Sequence, residues 1–153
     1  MSQEERYGTR DMSYSAWHRR HSTERFVGIE NARRLAMIDL DASLYVEYDD
    51  KTKEPIALME IAADVGQDHK TATVTRKLCI RAKIPGFIVL YRTSDAKNPA
   101  DDNYSDISGF RIKLLYPFID KTWRSMSPGE WAKCLLSLRD WATKKIYSHS
   151  VII

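Results

Sequence analysis

Polar and apolar residues alternate without a break along "MIDLDASLYVEY", residues 37–48. Ile38, Leu40, Ala42, Leu44 and Val46 fall on one side, and Asp39, Asp41, Ser43, Tyr45 and Glu47 on the other. A period of two predicts a strand with one buried and one wet face. "DDKTKEP" (49–55) reads as a turn, and "IALMEIAADV" (56–65) returns as a second strand, so the pair predicts a hairpin. Beyond Gly66, Asp68 is placed to cap a helix over 69–84, with Val74, Leu78 and Ala82 recurring along one side. Pro85-Gly86 ends that helix. "FIVLYR" (87–92) is a continuous apolar run and predicts a strand covered on both faces. A polar loop, "DAKNPADDNYSD" (95–106), separates it from the alternating "ISGFRIKLLYPF" (107–118), a further strand.

Helices are expected at both ends. "SYSAWHRRHSTERF" (13–26) predicts one capped by Ser13 or Ser15. Ser127 and Glu130 form a capping box for the other, with Pro128 at its first position. Trp131, Leu135, Leu138 and Trp141 or Ala142 make its buried stripe. The order α-β-β-α-β-β-α predicts an α/β fold, a mixed central sheet flanked by helices. The helix between the second and third strands implies a right-handed crossover, which makes those strands parallel. Residues 1–12 read as a flexible polar N-terminus and 13–153 as a single domain.

Composition narrows the class only slightly. Hydrophobic residues at 43% and charged residues at 29% suit a globular domain. No apolar run approaches the length that spans a bilayer, and no secretory leader pattern opens the chain. No membrane partner is expected. Cys79 and Cys134 are far apart and lack a CxxC context, so both are expected as small core residues on helices. That usage suits a reducing cytoplasm.

Charge changes the picture more. The formal net charge is only +3, yet basic residues cluster in "WHRRHSTER" (17–25), "NARRL" (31–35) and "VTRKLCIRAK" (74–83). Several such stretches in one small domain point to a polyanion partner, with Arg19, Arg20, Lys77 and Arg81 as candidate contacts. Arg124 beside Trp123 adds an aromatic-basic pair of the kind that stacks on nucleobases. His18 and His21 share a helix face at a spacing that permits metal binding, but no third ligand accompanies them and they read as surface residues.

Glu60 stands out because its strand is otherwise apolar. A buried carboxylate is costly unless a cation, a metal or a cleft receives it. Asp39 and Asp41 lie on the preceding strand, and facing strands bring opposed side chains within about 5 Å. A turn centred near residues 51 and 52 sets positions 43 to 45 opposite Glu60, leaving Asp41 a diagonal neighbour that needs a bend or bulge. Carboxylates shared in this way suit Mg²⁺ or Mn²⁺.

An acid on a first strand, a Glu on an apolar second strand, a basic helix and a buried third strand together resemble the PD-(D/E)xK, or restriction-endonuclease-like, nuclease family. The resemblance spans about residues 13 to 92 and is carried by "IDLDASLYVEY", "PIALMEIAADVG" and "IPGFIVLY". Small phage-encoded and bacterial proteins have a similar D-x-D ahead of such a strand. The resemblance implies a metal-dependent phosphodiester hydrolase acting on nucleic acid, DNA ahead of RNA. Asp41 or Asp39, Glu60 and the carbonyl of Ile61 would hold Mg²⁺ or Mn²⁺. For a phage-encoded member the compartment would be the bacterial host cytoplasm. The family's pattern asks for lysine two residues after the acid, where this chain has Ala62. In members of this fold the lysine can migrate to the following helix, where Lys70 and Lys77 are candidates and Lys70 is the nearer. The implied catalytic set is Asp41, Glu60 and Lys70. The alternative is an inactive nuclease-like domain that binds nucleic acid or a protein partner as a regulator or assembly factor.

Overall fold

The computed structural model describes Ser13, Trp17, residues 23–35, Ile38 and residues 40–151, with side chains described as far as Lys145. The chain divides into two compact units, residues 1–39 and 40–153. In the first, α1 (Glu24–Val27) and α2 (Ile29–Ala32) meet at Gly28, whose φ of 81° a residue with a Cβ adopts only under strain. Ser13 and Trp17 are also helical. Of the helix expected over 13–26, residues 14–16 and 18–22 lie outside the described residues, and with them Arg19, Arg20, His18 and His21.

The second unit holds β1 (Ala42–Glu47), β2 (Lys53–Ala63), α3 (Thr73–Ala82), β3 (Gly86–Asn98), β4 (Asp101–Tyr116), β5 (Arg124–Met126) and α4 (Pro128–Val151). The five strands form one sheet in the order β1-β2-β3-β4-β5. β2 and β3 run parallel across α3, and the other neighbouring pairs are antiparallel. The α/β class, the mixed sheet, the hairpin and the parallel pair agree with the sequence pattern.

Several expectations need correction, among them the turn at 49–55, since β2 already begins at Lys53. Residues 95–106 are not a loop: β3 and β4 continue through them as a long hairpin that turns between Asn98 and Asp101. Main-chain pairing does not require apolar side chains, so a polar ribbon leaves no hydropathic trace. A short fifth strand, too brief to show a period, pairs Arg124 to Met126 with β4. β1 begins at Ala42 rather than at residue 37, and Ile38 and Leu40 are exposed. Finally, α3 begins at Thr73 rather than beside Asp68, and its buried side is Thr75 and Cys79, while Val74 and Ala82 are exposed.

Successive strand residues point to opposite faces, and two apolar layers result. Ala57, Met59, Val89 and Ile112 pack with Trp131, Leu135 and Leu138 of α4. Ile88, Leu90 and Leu115 form the other layer with Ala62, Ala72 and Trp123. The run at 87–90 is thus covered on both sides, as its continuous hydrophobicity implies. The capping box forms as expected: Glu130 N–H donates to Ser127 Oγ (3.1 Å) and Ser127 N–H to Glu130 Oε1 (3.2 Å). Ala142 is buried and Trp141 is 52% exposed, which settles the end of the stripe. Cys134 is exposed, contrary to the expectation of a core residue, whereas Cys79 is fully buried. α3 lies so close to the sheet that a Cβ at Gly86 would overlap Cys79 Sγ. The helix ends at Lys83, which takes the left-handed conformation (φ 58°) two residues before Pro85.

Candidate functional site

The sheet face beneath α3 carries the polar chemistry. Leu58, Glu60 and Ala62 alternate with Met59 of the α4 layer, so Glu60 points toward α3. Its side chain is 12% exposed. Thr75, a buried residue of α3, donates its hydroxyl to Glu60 Oε2 at 2.9 Å. Lys70 Nζ lies 3.9 Å from Glu60 Oε1. That separation is an ion pair but longer than a hydrogen bond, so the ammonium's donors are not taken up by Glu60.

A β-bulge places Asp41. The β1/β2 register shifts between Leu44 and Tyr45: Tyr45 faces Pro55, whereas Leu44 faces Ala57. Ile56 is the extra residue, and it is buried along with its neighbour Ala57. The pairing stops at Ala42 and Met59; carried one step further, the shifted register would bring Asp41 level with Glu60, where the unshifted one would bring Leu40. The expected partners at 43 to 45 are therefore corrected, because the turn falls nearer residue 50 and the extra residue lies on β2. Asp41 Oδ2 accepts the N–H of Ile61 at 2.7 Å, so its side chain extends the ladder beyond β1. The N–H and C=O of one strand residue leave the same edge, so the Ile61 carbonyl opens on the edge where Asp41 sits. Asp39 lies outside the described residues.

Residues 64–72 link β2 to α3 and hold Lys70 in place. Arg111 of β4 grips Asp64 with two hydrogen bonds, Nε to Oδ2 (2.9 Å) and Nη2 to Oδ1 (2.7 Å). The same Nη2 donates to the carbonyl of Gln67 at 2.9 Å. The guanidinium and the N–H of Gly66 hold the Asp64 carboxyl down to about 2, and Asp64 in turn raises Arg111. Trp123 donates its indole N–H to the Asp68 carbonyl at 2.9 Å. The Arg111 guanidinium and the Lys113 ammonium each lie 5.2 Å from its ring centre. Trp123 is therefore a clamp on this segment rather than an open platform beside Arg124. Arg124 itself pairs with Asp120 at 3.2 Å. Lys77 and Arg81 are exposed on α3.

Glu60 and Lys70 are thus brought together and Asp41 bonds the residue next to Glu60, while Lys77, Arg81 and Arg124 take no part in that cluster. Asp64, Thr75, Arg111 and Lys113 were not legible as site residues. Arg111 and Lys113 carried one signal, two cations two apart on an alternating strand, which places both on one face. Among the described residues, no three His, Cys, Asp or Glu side chains gather as a metal-binding group. Mg²⁺ does not require one, since it is commonly bound by one or two carboxylates with water and substrate phosphate. The carboxylates of Asp41 and Glu60, on adjoining strands, and the Ile61 carbonyl are hard oxygen donors of that kind. Comparison of the chain with family models, curated proteins and solved structures finds no match. No helix among the described residues is long and apolar enough to cross a membrane.

Proposed function

We propose that the protein is a metal-dependent phosphodiester hydrolase of restriction-endonuclease-like type, acting on nucleic acid, with Asp41, Glu60 and Lys70 as its catalytic residues. The observation that carries this reading is the Lys70 ammonium, 3.9 Å from Glu60 although Ala62 occupies the place of the motif lysine. A lysine supplied from the segment after the strand restores the charge pattern that the reaction needs. Asp41, Glu60 and the Ile61 carbonyl would hold Mg²⁺ or Mn²⁺, which supplies charge neutralisation at the phosphate and a more acidic water. Lys70 donates an N–H to the attacking oxygen and balances charge on the phosphate. Thr75 fixes the rotamer of Glu60 by bonding Oε2, leaving Oε1 toward the ammonium. Arg111 and Trp123 hold the backbone from which Lys70 extends.

One observation favours a second reading. Glu60 already has a hydroxyl and an ammonium beside it, an arrangement that would also satisfy a non-catalytic scaffold binding nucleic acid or a protein partner. Cleavage of plasmid and single-stranded DNA with Mg²⁺ or Mn²⁺ separates the two. Lys70→Ala and Glu60→Gln should each lower the rate at least about a hundredfold, while Lys77→Ala should retain it. Calorimetric titration with Mn²⁺ should show weaker binding by Glu60→Gln. A wild-type protein inert with every divalent ion would overturn the hydrolase reading in favour of the binding one.

A further inference from the structure

Beside Glu60, on the same face of the sheet, a cavity of about 290 Å³ opens between α3, β4 and the segment preceding α3. His69, Lys70, Arg76 and Lys113 line it over an apolar floor that includes Ile88 and Leu115. No acidic residue is among the described residues that line it. Arg76 Nε is buried within the protein and has no hydrogen-bond partner. A guanidinium N–H removed from water and left unpaired is costly, and an anion held at the cavity side of this guanidinium would offset that cost through its charge. Lys113 is held against Trp123 on one side, so its charge is fixed at the cavity rather than swept through solvent.

The charge balance selects among anions. Lys70 is matched by Glu60, which leaves Arg76 and Lys113 as two positive charges facing the cavity without a carboxylate. An internal phosphodiester carries one negative charge, whereas a terminal phosphate monoester carries close to two at neutral pH. Guanidinium and ammonium groups are also the usual partners of phosphate oxygens. The apolar floor can take the adjoining base or sugar.

We propose that this cavity binds the terminal phosphate monoester of a nucleic-acid strand, through Arg76 and Lys113, and so seats a strand end beside Glu60 and Lys70. The substrate class rests on the hydrolase reading, but the binding itself needs neither metal nor cleavage. The cavity would then select phosphorylated ends and set how far from the end the strand is cut.

Fluorescence anisotropy in EDTA tests this with the full chain and a short single-stranded oligonucleotide. The strand is prepared with a 5′-phosphate, a 3′-phosphate, both ends hydroxyl, or closed into a circle. One phosphorylated form should bind on the order of tenfold tighter than the hydroxyl form, and the end that gains gives the polarity. Arg76→Gln and Lys113→Gln, on separate elements, should each abolish that gain, so that the phosphorylated and hydroxyl forms bind the variant equally. Thermal unfolding of both variants checks that the fold persists, and either one folded suffices. Equal affinity for all linear forms overturns the proposal, as does a circle binding as tightly as the phosphorylated strand. Loss of phosphate preference with Mn²⁺-dependent cleavage intact removes this inference alone. Phosphate preference without any cleavage keeps it and removes the hydrolase reading.

Discussion

Two carboxylates near the end of β2 are neutralised in different ways, and the difference separates a structural from a chemical role. Asp64, whose side chain is 6% exposed, is locked by a two-pronged guanidinium at 2.7 and 2.9 Å. Glu60 is held by one neutral hydroxyl and faces an ammonium across a longer gap. The Asp64 carboxylate already accepts three hydrogen bonds, two of them from a fixed guanidinium, whereas Glu60 accepts one and keeps acceptor sites for a ligand. Because the folded protein keeps the Asp64 carboxyl at about 2, below its ordinary 3.8, the unfolded chain takes up that proton first on acidification. The pair's contribution is therefore complete above about pH 5 and is lost as the pH falls toward 2, amounting to about 2 kcal/mol at most. Urea unfolding of the wild type and of Asp64→Asn between pH 7 and pH 2.5 should show the variant less stable at neutral pH. The gap between them should close on the acidic side, and a constant gap would assign the variant's defect to packing.

At the level of elements, the segment 64–72 matters more than the helix it leads to. Asp68 is a good cap residue and the polar sequence around it permits a helix start, yet α3 begins at Thr73. The carbonyls of Gln67 and Asp68 are instead taken by Arg111 and Trp123, residues more than forty positions away. Lys70 consequently leaves an irregular segment, and its direction is set by β4 and the residue before β5 instead of by helical pitch. Arg111→Gln should release this segment. The expected cost is about 3 kcal/mol in urea unfolding, the usual penalty for stranding one member of a buried pair. Amide exchange should accelerate at residues 64–72 while protection in the centre of β3 is retained relative to global stability. Uniform loss of protection would show that Arg111 supports the whole sheet instead.

Across the second unit the two sheet faces divide the labour. The face under α4 is an apolar core centred on Trp131, whose ring meets Phe87 edge-on at 5.7 Å and Phe110 at 6.3 Å. The opposite face carries Glu60, Lys70, Arg111 and Lys113. Stability and chemistry should then respond separately. Trp131→Ala should lower stability by about 3–5 kcal/mol and leave the Mn²⁺-dependent cleavage rate per folded molecule within about twofold. A large loss of rate in the folded fraction would place the α4 face in the chemistry.

The α/β class, the β1/β2 hairpin, the parallel crossover and the cap and stripe of α4 were legible in the sequence, because each rests on a local period or a local cap. Glu60 was legible as an anomaly for the same reason, a charge set in an apolar run. The polar end of the β3/β4 hairpin was not legible, since backbone pairing needs no hydrophobic signal and depends on the partner strand. Nor was the β1/β2 register that carries Asp41 to the N–H of Ile61. One extra residue, Ile56, decides that register, and a bulge is a compromise between two strands that neither encodes alone. The neighbours of Glu60 lie 10 and 15 positions further on, and the groups that aim Lys70 come from β4 and the approach to β5. Their convergence is a property of the folded sheet, where packing brings together charges that no local pattern connects.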